Sequence, residues 1–204
     1  MNAIFDLQPL RTDRLTLRLF AETDLDDMYA YQGLPEVARY LYRPPRDRAR
    51  CAEVIELIGQ GTPWKEDGDS LTLAVCRRDA PGVIGEVMVS LSAAHTGQAE
   101  IGWVFHPDHG GRGYATEAAL ALRDLAFQQL SVHRVFARVD VENAASVRIC
   151  ERLSMRREAH LIENDRDDRG WGSEYVYAIL AREAETTRTD QGPRPCTGIL
   201  DEMG

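Results

Sequence analysis

The stretch from Ile101 to Glu117 constrains the fold of this chain more than any other segment. Residues 102–105 read Gly-Trp-Val-Phe, a short apolar and aromatic run that is typical of a buried strand. A glycine-rich turn follows. The chain from Tyr114 to Leu130 then contains no Pro or Gly and is rich in Ala and Leu, a composition that favours a helix. The stretch therefore predicts a strand, a tight turn and a helix in immediate succession.

A turn of this kind is suited to binding phosphate. Glycines let backbone N–H groups converge without side chains in the way. The start of the following helix adds its own free N–H groups and the positive end of its dipole. The spacing excludes the Gly-Lys-Ser/Thr of a nucleotide P-loop and the full dinucleotide fingerprint. Taken alone, the turn is either a phosphate receptor or a tight packing turn.

Residues 110–115, Gly-Gly-Arg-Gly-Tyr-Ala, resemble the acetyl-CoA loop of the GCN5-related N-acetyltransferases, the GNAT family, and in particular the subgroup that includes the ribosomal-protein N-terminal acetyltransferases. That loop reads Gln/Arg-x-x-Gly-x-Gly/Ala. The match is at Gly113 and Ala115, and the departure is at Gly110. The family's contacts to the pyrophosphate are mostly backbone N–H groups, so the resemblance tolerates this departure.

A second signature lies further along the chain at the expected distance. Residues 143–155 begin Asn-Ala-Ala-Ser and end Glu-Arg-Leu-Ser-Met, which resembles the family's Asn-x-x-Ser followed by Glu-Lys-Leu-Gly-Phe. The resemblance extends from Thr12 to about Leu180. It implies an α+β GNAT fold, with a single mixed, mostly antiparallel sheet, helices on both faces and a splayed pair of parallel central strands. Residues 1–182 are expected to form this one domain, and residues 183–204 a flexible C-terminal tail.

Bulk properties exclude several classes of protein. The net charge is −9 without a Lys/Arg-rich cluster, which disfavours a nucleic-acid partner. The acidic excess either favours a cationic acceptor such as an amine or only keeps the protein in solution. No apolar run is long enough for a membrane span, and no signal peptide is recognisable. Four scattered cysteines without a Cys-x-x-Cys argue against a zinc site or a disulfide framework, so we expect no metal and a cytoplasmic location.

The resemblance implies acetyl-CoA as the acyl donor, with its pantetheine arm between the two splayed strands. Backbone N–H groups around Val104 and Phe105 are expected to stabilise the thioester oxygen. Arg112 either adds charge at the phosphates or is solvated. His109, with His106, is expected at the phosphates rather than as a base. The full set of predicted cofactor-binding residues is Trp103, Val104, Phe105, His109, Gly110, Gly111, Arg112, Gly113, Tyr114, Ala115, Thr116 and Asn143.

Glu100 is the first candidate for the general base. In an alternating strand it shares a face with Gly102 and Val104, where burial beside an apolar wall would raise its pKa. It is either this base or a carboxylate at the rim in water. Glu86, on the preceding strand, is the alternative base.

Two residues are candidates for protonating the leaving thiolate. The family often uses a Tyr on the helix after Asn143, and that position is Cys150 here. Ser146, one turn earlier, ranks above Cys150, which is either a proton donor or a small buried residue. A covalent acyl intermediate on Cys150 is not expected, since no His is near in sequence and the family transfers the acyl group directly.

These features together predict an N-acyltransferase that moves an acetyl group from acetyl-CoA directly to a primary amine. The amine is a peptide N-terminus, a lysine or a small molecule. One alternative is a succinyl or other acyl donor, with Arg43 in the segment Tyr40–Arg43 as its counterion. Another is a non-catalytic CoA-binding sensor, which the departures at Gly110, Cys150 and Ser154 keep open. Exposed edge strands and the resemblance suggest a homodimer.

Overall fold

The computed structural model describes residues 8–59 and 63–190, and the side chains of this range except those of residues 187–190. Its strands are β1 (Leu10–Arg11), β2 (Leu15–Arg18), β3 (Ser70–Arg77), β4 (Val83–Ala93), β5 (Gln98–Phe105), β6 (Arg134–Asp140), β7 (Arg156–Asp167) and β8 (Gly170–Leu180). Its helices are α1 (Leu25–Gln32), α2 (Pro35–Ala38), α3 (Arg48–Gly59), α4 (Tyr114–Gln128), α5 (Ala144–Arg152) and α6 (Ala181–Asp190).

The eight strands form a single sheet in the order β1-β2-β3-β4-β5-β6-β8-β7. Only β5 and β6 pair in parallel, and their pairing runs from Gln98↔Arg134 to Glu100↔Phe136 and then stops. On its other side β5 stays paired with β4 as far as Phe105. The two central strands therefore separate over the second half of β5, which confirms the predicted GNAT fold with a splayed parallel pair.

Apolar helix faces cover both sides of this sheet. On one side α4 buries Ala118, Leu122 and Leu125 in the larger core, and on the other α1 and α3 bury Met28 and Ile55 in a smaller one. Full burial of a side chain such as Leu122 contributes roughly 1.5–3 kcal/mol. Truncation of such a side chain to Ala typically costs about 2–5 kcal/mol. The larger core includes residues of both splayed strands, such as Ile101 and Val135.

Both signature segments fold as their residue types predict. Gly113 precedes α4 with φ +81°, a left-handed conformation that glycine adopts without strain. The side chain of Asn143 caps α5, where its Oδ1 accepts a hydrogen bond from the backbone N–H of Ser146 at 3.1 Å. Both helices therefore start beside the gap between β5 and β6.

A flexible tail was predicted from residue 183 onward. Residues 183–190 are instead helical, as part of α6 (Ala181–Asp190). The Glu183 carboxylate accepts from the backbone N–H of Leu180 at 2.8 Å and pairs with Arg156 at 2.6 Å, and Ala184 is buried. One buried Ala and a local cap leave no periodic apolar pattern for sequence analysis to detect. Residues 191–204, and residues 1–7 where a leader was sought, lie outside the described residues.

Candidate active site

Two grooves open from the gap between β5 and β6. The glycine-loop groove, of about 530 Å³, passes over the turn at Gly110–Gly113 and the start of α4. The carboxylate groove, of about 370 Å³, lies between the N-terminal helices and the strands, and it is lined by Glu86, Glu100, Asp140, Asp165 and Glu174. Six residues line both grooves: Tyr40, Leu41, Trp103, Val104, Asn143 and Ser146. We call this shared place the junction.

The glycine turn leaves its concave side free of side chains. Gly111 has φ +71°, and a Cβ built on it would meet nothing within 4 Å. Arg14 supports the turn from behind, donating to the Arg112 carbonyl at 3.0 Å and to the Glu117 carboxylate at 2.7 Å. The turn and the first residues of α4 line the groove, and the first N–H groups of a helix have no partner within it, as an anion site requires.

His109 adds a polar atom without a protein partner. Among the described residues, its Nδ1 is the buried side-chain atom for which no hydrogen bond is found. Burial, and then the charges of His106 and Arg112, lower the pKa of His109, so the ring is neutral at pH 7. Because His109 lines the glycine-loop groove, a ligand there can supply the missing hydrogen bond.

The arginine side chains that line this groove are not the predicted Arg112. Arg148 and Arg152, one turn apart on α5, line the glycine-loop groove. Arg112 instead lines an outer cleft together with Arg14 and Arg152. Arg148 and Arg152 were not predicted, although their i, i+4 spacing after the Asn143 cap places them on one helix face.

The backbone of β5 determines which N–H groups point into the gap. The N–H of His106 donates to the carbonyl of Ile84 at 3.0 Å. Alternate residues of an antiparallel strand direct their N–H groups to the same side. The N–H of Val104 therefore points toward β4, and those of Trp103 and Phe105 point into the gap. Of the two N–H groups expected to act as donors, that of Phe105 points into the gap and that of Val104 does not, while the N–H of Trp103 also points into the gap.

Ser146 and Cys150 have different environments. Trp103 Nε1 donates to Ser146 Oγ at 3.1 Å, so the hydroxyl is held at the junction. Cys150 is fully buried in the larger core and lines neither groove. Burial raises the pKa of its thiol to about 12. The structure brings Ser146 into the site and leaves Cys150 as a small buried residue, since its side of α5 faces the core.

Glu86 lies in the wall of the carboxylate groove, paired across the strands with Val104 of the junction. Its Oε2 accepts from the hydroxyl of Tyr31 at 2.7 Å, and its Oε1 accepts from Gln32 Nε2 at 2.8 Å. Burial raises the pKa of this carboxyl, and the hydrogen bonds from Tyr31 and Gln32 partly offset that effect. Glu86 therefore has the environment that was predicted for Glu100.

Glu100 lies four residues before Val104, which is about 13 Å along the strand. Its Oε1 accepts from Arg138 Nε at 3.1 Å, and its side chain is 26% exposed. It faces the same side of the sheet as Val104, as predicted, but its neighbour is a guanidinium rather than an apolar wall. The distance from the junction and the ion pair both rank it below Glu86 as a base.

The segment between α2 and α3, residues 39–47, crosses the gap, and we call it the strap. Tyr42 has φ +46°, and its hydroxyl donates to Asp140 Oδ2 at 2.7 Å. Burial and then Asp140 raise the pKa of this hydroxyl, which stays protonated as a donor. The ring rests against Gly172, where a Cβ would lie 2.2 Å from it. This contact leaves no local pattern in the sequence, because it joins residues from three distant segments.

Some kinds of site are absent from the part of the chain that the structure describes. In residues 8–59 and 63–190, no cluster of three or more His, Cys, Asp or Glu side chains could hold a metal ion. Over the same residues, no helix has the length and apolarity needed to cross a membrane. The grooves themselves therefore carry the functional argument.

Known proteins share this architecture. The model of the acetyltransferase (GNAT) domain matches residues 14–156. An uncharacterized N-acetyltransferase of Bacillus subtilis (strain 168), YnaD, is 31% identical over 176 residues, which cover 85% of this chain and 98% of that protein. The crystal structure of a GNAT-family acetyltransferase from Bacillus anthracis superposes with a TM-score of 0.77 at 26% identity, covering 86% of this chain and all of that one.

A further solved structure is similar in fold alone. Spermidine N-acetyltransferase from Vibrio cholerae, in complex with CoA and spermine, superposes with a TM-score of 0.73 at 21% identity. The superposition covers 85% of this chain and 99% of that one.

Proposed function

The chain belongs to the GNAT family of acetyltransferases, and we propose that it transfers the acetyl group of acetyl-CoA directly to a primary amine bound in the carboxylate groove. The observation that carries this proposal is the junction, where the two grooves share six lining residues. A donor in one groove and an acceptor in the other reach the same point from opposite sides. Such positioning supplies a large share of the rate of a two-substrate reaction.

The residues of the glycine-loop groove fit acetyl-CoA, which supplies an acetyl thioester that reacts with amines. The open concave side of Gly111 and the start of α4 offer N–H groups to a pyrophosphate. The free Nδ1 of His109 adds one polar contact, and Arg148 and Arg152 add positive charge. The similar fold that holds CoA in the Vibrio cholerae enzyme supports the same assignment.

Backbone groups of β5 are proposed to stabilise the thioester oxygen. The N–H groups of Trp103 and Phe105 point into the gap and have no strand beside them, since β6 has already diverged. Donors fixed in this way need no rearrangement when negative charge develops. We assign Trp103 to the thioester oxygen, because it lines both grooves, and Phe105 to the pantetheine arm.

Glu86 is proposed as the general base. Its raised pKa makes it a stronger base than an ordinary glutamate, and Tyr31 and Gln32 fix its two oxygens. Each oxygen keeps a second lone pair for the amine or for a water between them. Glu100 is proposed to shape the groove through its ion pair with Arg138.

Ser146 is proposed to return a proton to the leaving thiolate. Its Oγ accepts from Trp103 Nε1, so the hydroxyl hydrogen is free to point elsewhere in the junction. Cys150, buried away from both grooves, is proposed to have no chemical role.

Location and assembly are part of the same proposal. Cys51, Cys76 and Cys150 are free thiols, which fits a reducing compartment such as the cytoplasm. The edge hairpin β7–β8 exposes 72% of Ile162 and 62% of Trp171, which supports a homodimer through this edge.

The first test is thermal unfolding with acetyl-CoA, succinyl-CoA and free CoA, followed by thiol release with a panel of primary amines. A ligand at 100 times its Kd stabilises by about 2.7 kcal/mol. We expect acetyl-CoA to raise the Tm and thiol to appear only when an amine is added. A rise in Tm without thiol release would favour a CoA-binding sensor. No rise with any CoA species would contradict the donor assignment.

A further inference from the structure

The contacts of the charged groups in the carboxylate groove tell more about the acceptor than the number of these groups does. The groove is lined by five carboxylates and three guanidinium groups, those of Arg43, Arg46 and Arg138. Because the negative groups outnumber the positive ones, the groove as a whole should attract a cation. The contacts of each group divide them differently, because each carboxylate accepts hydrogen bonds from the protein whereas two of the guanidinium groups have no carboxylate within 4 Å among the described residues.

The five carboxylates all have donors within the protein. Glu100 and Glu174 face the Arg138 guanidinium, at 3.1 and 3.8 Å. The other bonds are from Tyr31 and Gln32 to Glu86, from Tyr42 to Asp140, from Asn164 to Glu174 and from the Arg166 backbone N–H to Asp165. The acidic residues therefore act as structural acceptors that hold the groove walls together.

Arg43 and Arg46 have no carboxylate of their own. Arg43 donates to two neutral oxygens, the Pro44 carbonyl at 3.0 Å and the Gln32 side-chain oxygen. For the Arg46 side chain, neither a hydrogen bond nor an ion pair to another described residue is found. Both side chains are partly buried, and burial together with the nearby Arg46 lowers the pKa of Arg43. Two guanidinium groups that line one groove and have no carboxylate within 4 Å among the described residues offer the charge and the donors that an anion needs.

Glu86 is not the paired counterion of Arg43 and Arg46. It is a partly buried carboxylate of the same groove, and the positive charges of Arg46 and Arg43 act on it without a hydrogen bond or an ion pair. Its own hydrogen bonds are made to Tyr31 and Gln32. A carboxylate held by the two arginines would therefore lie beside Glu86 without displacing it. In an α-amino acid, the amine next to that carboxylate would then face the proposed base.

We propose that Arg43 and Arg46 bind a substrate carboxylate, which makes the substrates of this site amino acids or other carboxylate-bearing molecules rather than simple polyamines. This inference rests on the proposed acetyl transfer at the junction. The carboxylate belongs either to the amine acceptor or to a dicarboxylic acyl group on CoA. Both sources present the same two oxygens to a pair of guanidinium groups.

The experiment compares matched pairs of substrates in thiol-release assays. Alanine, leucine and lysine are each compared with their carboxamides under acetyl-CoA, since the amide keeps the shape and removes the charge. In a second arm, succinyl-CoA is compared with the uncharged butyryl-CoA on a single simple amine. Each comparison is repeated for Arg46→Gln and for Arg50→Gln. Arg50 is an exposed arginine paired with Glu53 at 2.7 Å that lines neither groove.

We expect kcat/KM to favour the carboxylate-bearing member of one arm by about tenfold or more, because charged hydrogen bonds are the stronger kind. Arg46→Gln should abolish this preference whatever it does to the rate with the neutral member, and Arg50→Gln should leave the preference unchanged. A preference in the first arm identifies an amino-acid acceptor, and one in the second a dicarboxylic acyl group.

Two results would overturn the carboxylate site. One is a preference for neutral members in both arms, or no turnover of any pair, while acetyl-CoA still raises the Tm. The other is a carboxylate preference that Arg46→Gln does not change. In both cases the donor assignment stands. If instead acetyl-CoA gives no rise in Tm, the proposed function fails together with the inference.

Discussion

The two grooves that meet at the junction differ in composition, because backbone groups dominate one and side chains dominate the other. The glycine-loop groove depends on the backbone of one continuous stretch, from Trp103 to Thr116, with α5 beside it. The carboxylate groove is built from side chains of α1, the strap and five strands. Backbone N–H groups are the same in every residue except proline, whereas a side-chain site changes with each substitution. The proposed donor site can therefore be recognised from a short motif, and the proposed acceptor site cannot.

The strongest test of this contrast is Glu86→Gln, which changes the carboxylate groove at the proposed base. We expect kcat to fall by about a hundredfold or more, because general-base catalysis typically contributes about 10²–10⁴. Acetyl-CoA affinity, measured by calorimetry, should stay the same. Glu100→Gln is the matched control, and we expect a loss of less than about tenfold. Equal losses in the two variants would remove Glu86 from the mechanism.

The pH profile gives a second measure of the same variant. The base acts when ionised, and burial raises the pKa of Glu86 above its ordinary value. The activity of the wild-type protein should therefore increase as pH rises through that elevated pKa. Glu86→Gln should lose this acid limb, whereas Glu100→Gln should retain it.

A change in the backbone of the glycine loop should affect only the glycine-loop groove. In Gly113→Ala a Cβ is forced into φ +81°, a conformation that costs a non-glycine residue about 1–2 kcal/mol. We expect the Kd for acetyl-CoA to rise about tenfold, since the turn relaxes away from its N–H arrangement. Gly68→Ala is the matched control, because Gly68 has φ +95° in a distant loop with nothing within 4 Å of its Cβ. A similar rise in Kd for both variants would point to general destabilisation.

Tyr42→Phe tests the strap with a smaller expected effect. The substitution removes the hydrogen bond to the buried Asp140 and keeps the ring against Gly172. We expect a several-fold higher KM for the amine, an unchanged Kd for acetyl-CoA, and a loss of about 1–3 kcal/mol in the free energy of unfolding. An unchanged KM in steady-state assays would show that the strap does not order the carboxylate groove.

The smallest effect on activity is expected for Cys150→Ala. Because Cys150 is buried and away from both grooves, kcat should stay within about twofold of the wild-type value, and stability should fall by about 1 kcal/mol. Thermal unfolding and thiol release measure the two effects separately. A burst of acyl-enzyme in the wild-type protein that is absent from Cys150→Ala would show that the thiol takes part in the reaction.

Local sequence predicted the elements that depend on local physics. The turn before α4 needs glycine at φ +81°, and the cap of α5 needs a side chain such as that of Asn143, so both are visible in the chain itself. The parallel pairing of β5 with β6 follows from the helix that connects them. The helix α6 was not predicted, because one buried Ala and a cap by Glu183 leave no periodic apolar pattern in the sequence.

Tertiary structure alone decided the roles within the site. Glu86 and Glu100 lie on the same face of neighbouring strands, and only the strand register puts Glu86 opposite Val104 and Glu100 beside Arg138. Cys150 matches the family's position for a proton donor, yet the packing of α5 buries it. The fold and the glycine loop of the proposed donor site follow from the sequence by itself, because periodicity, glycine turns and caps act between neighbours. The acceptor site depends on distances between segments far apart in the chain, and these exist only once the chain has folded.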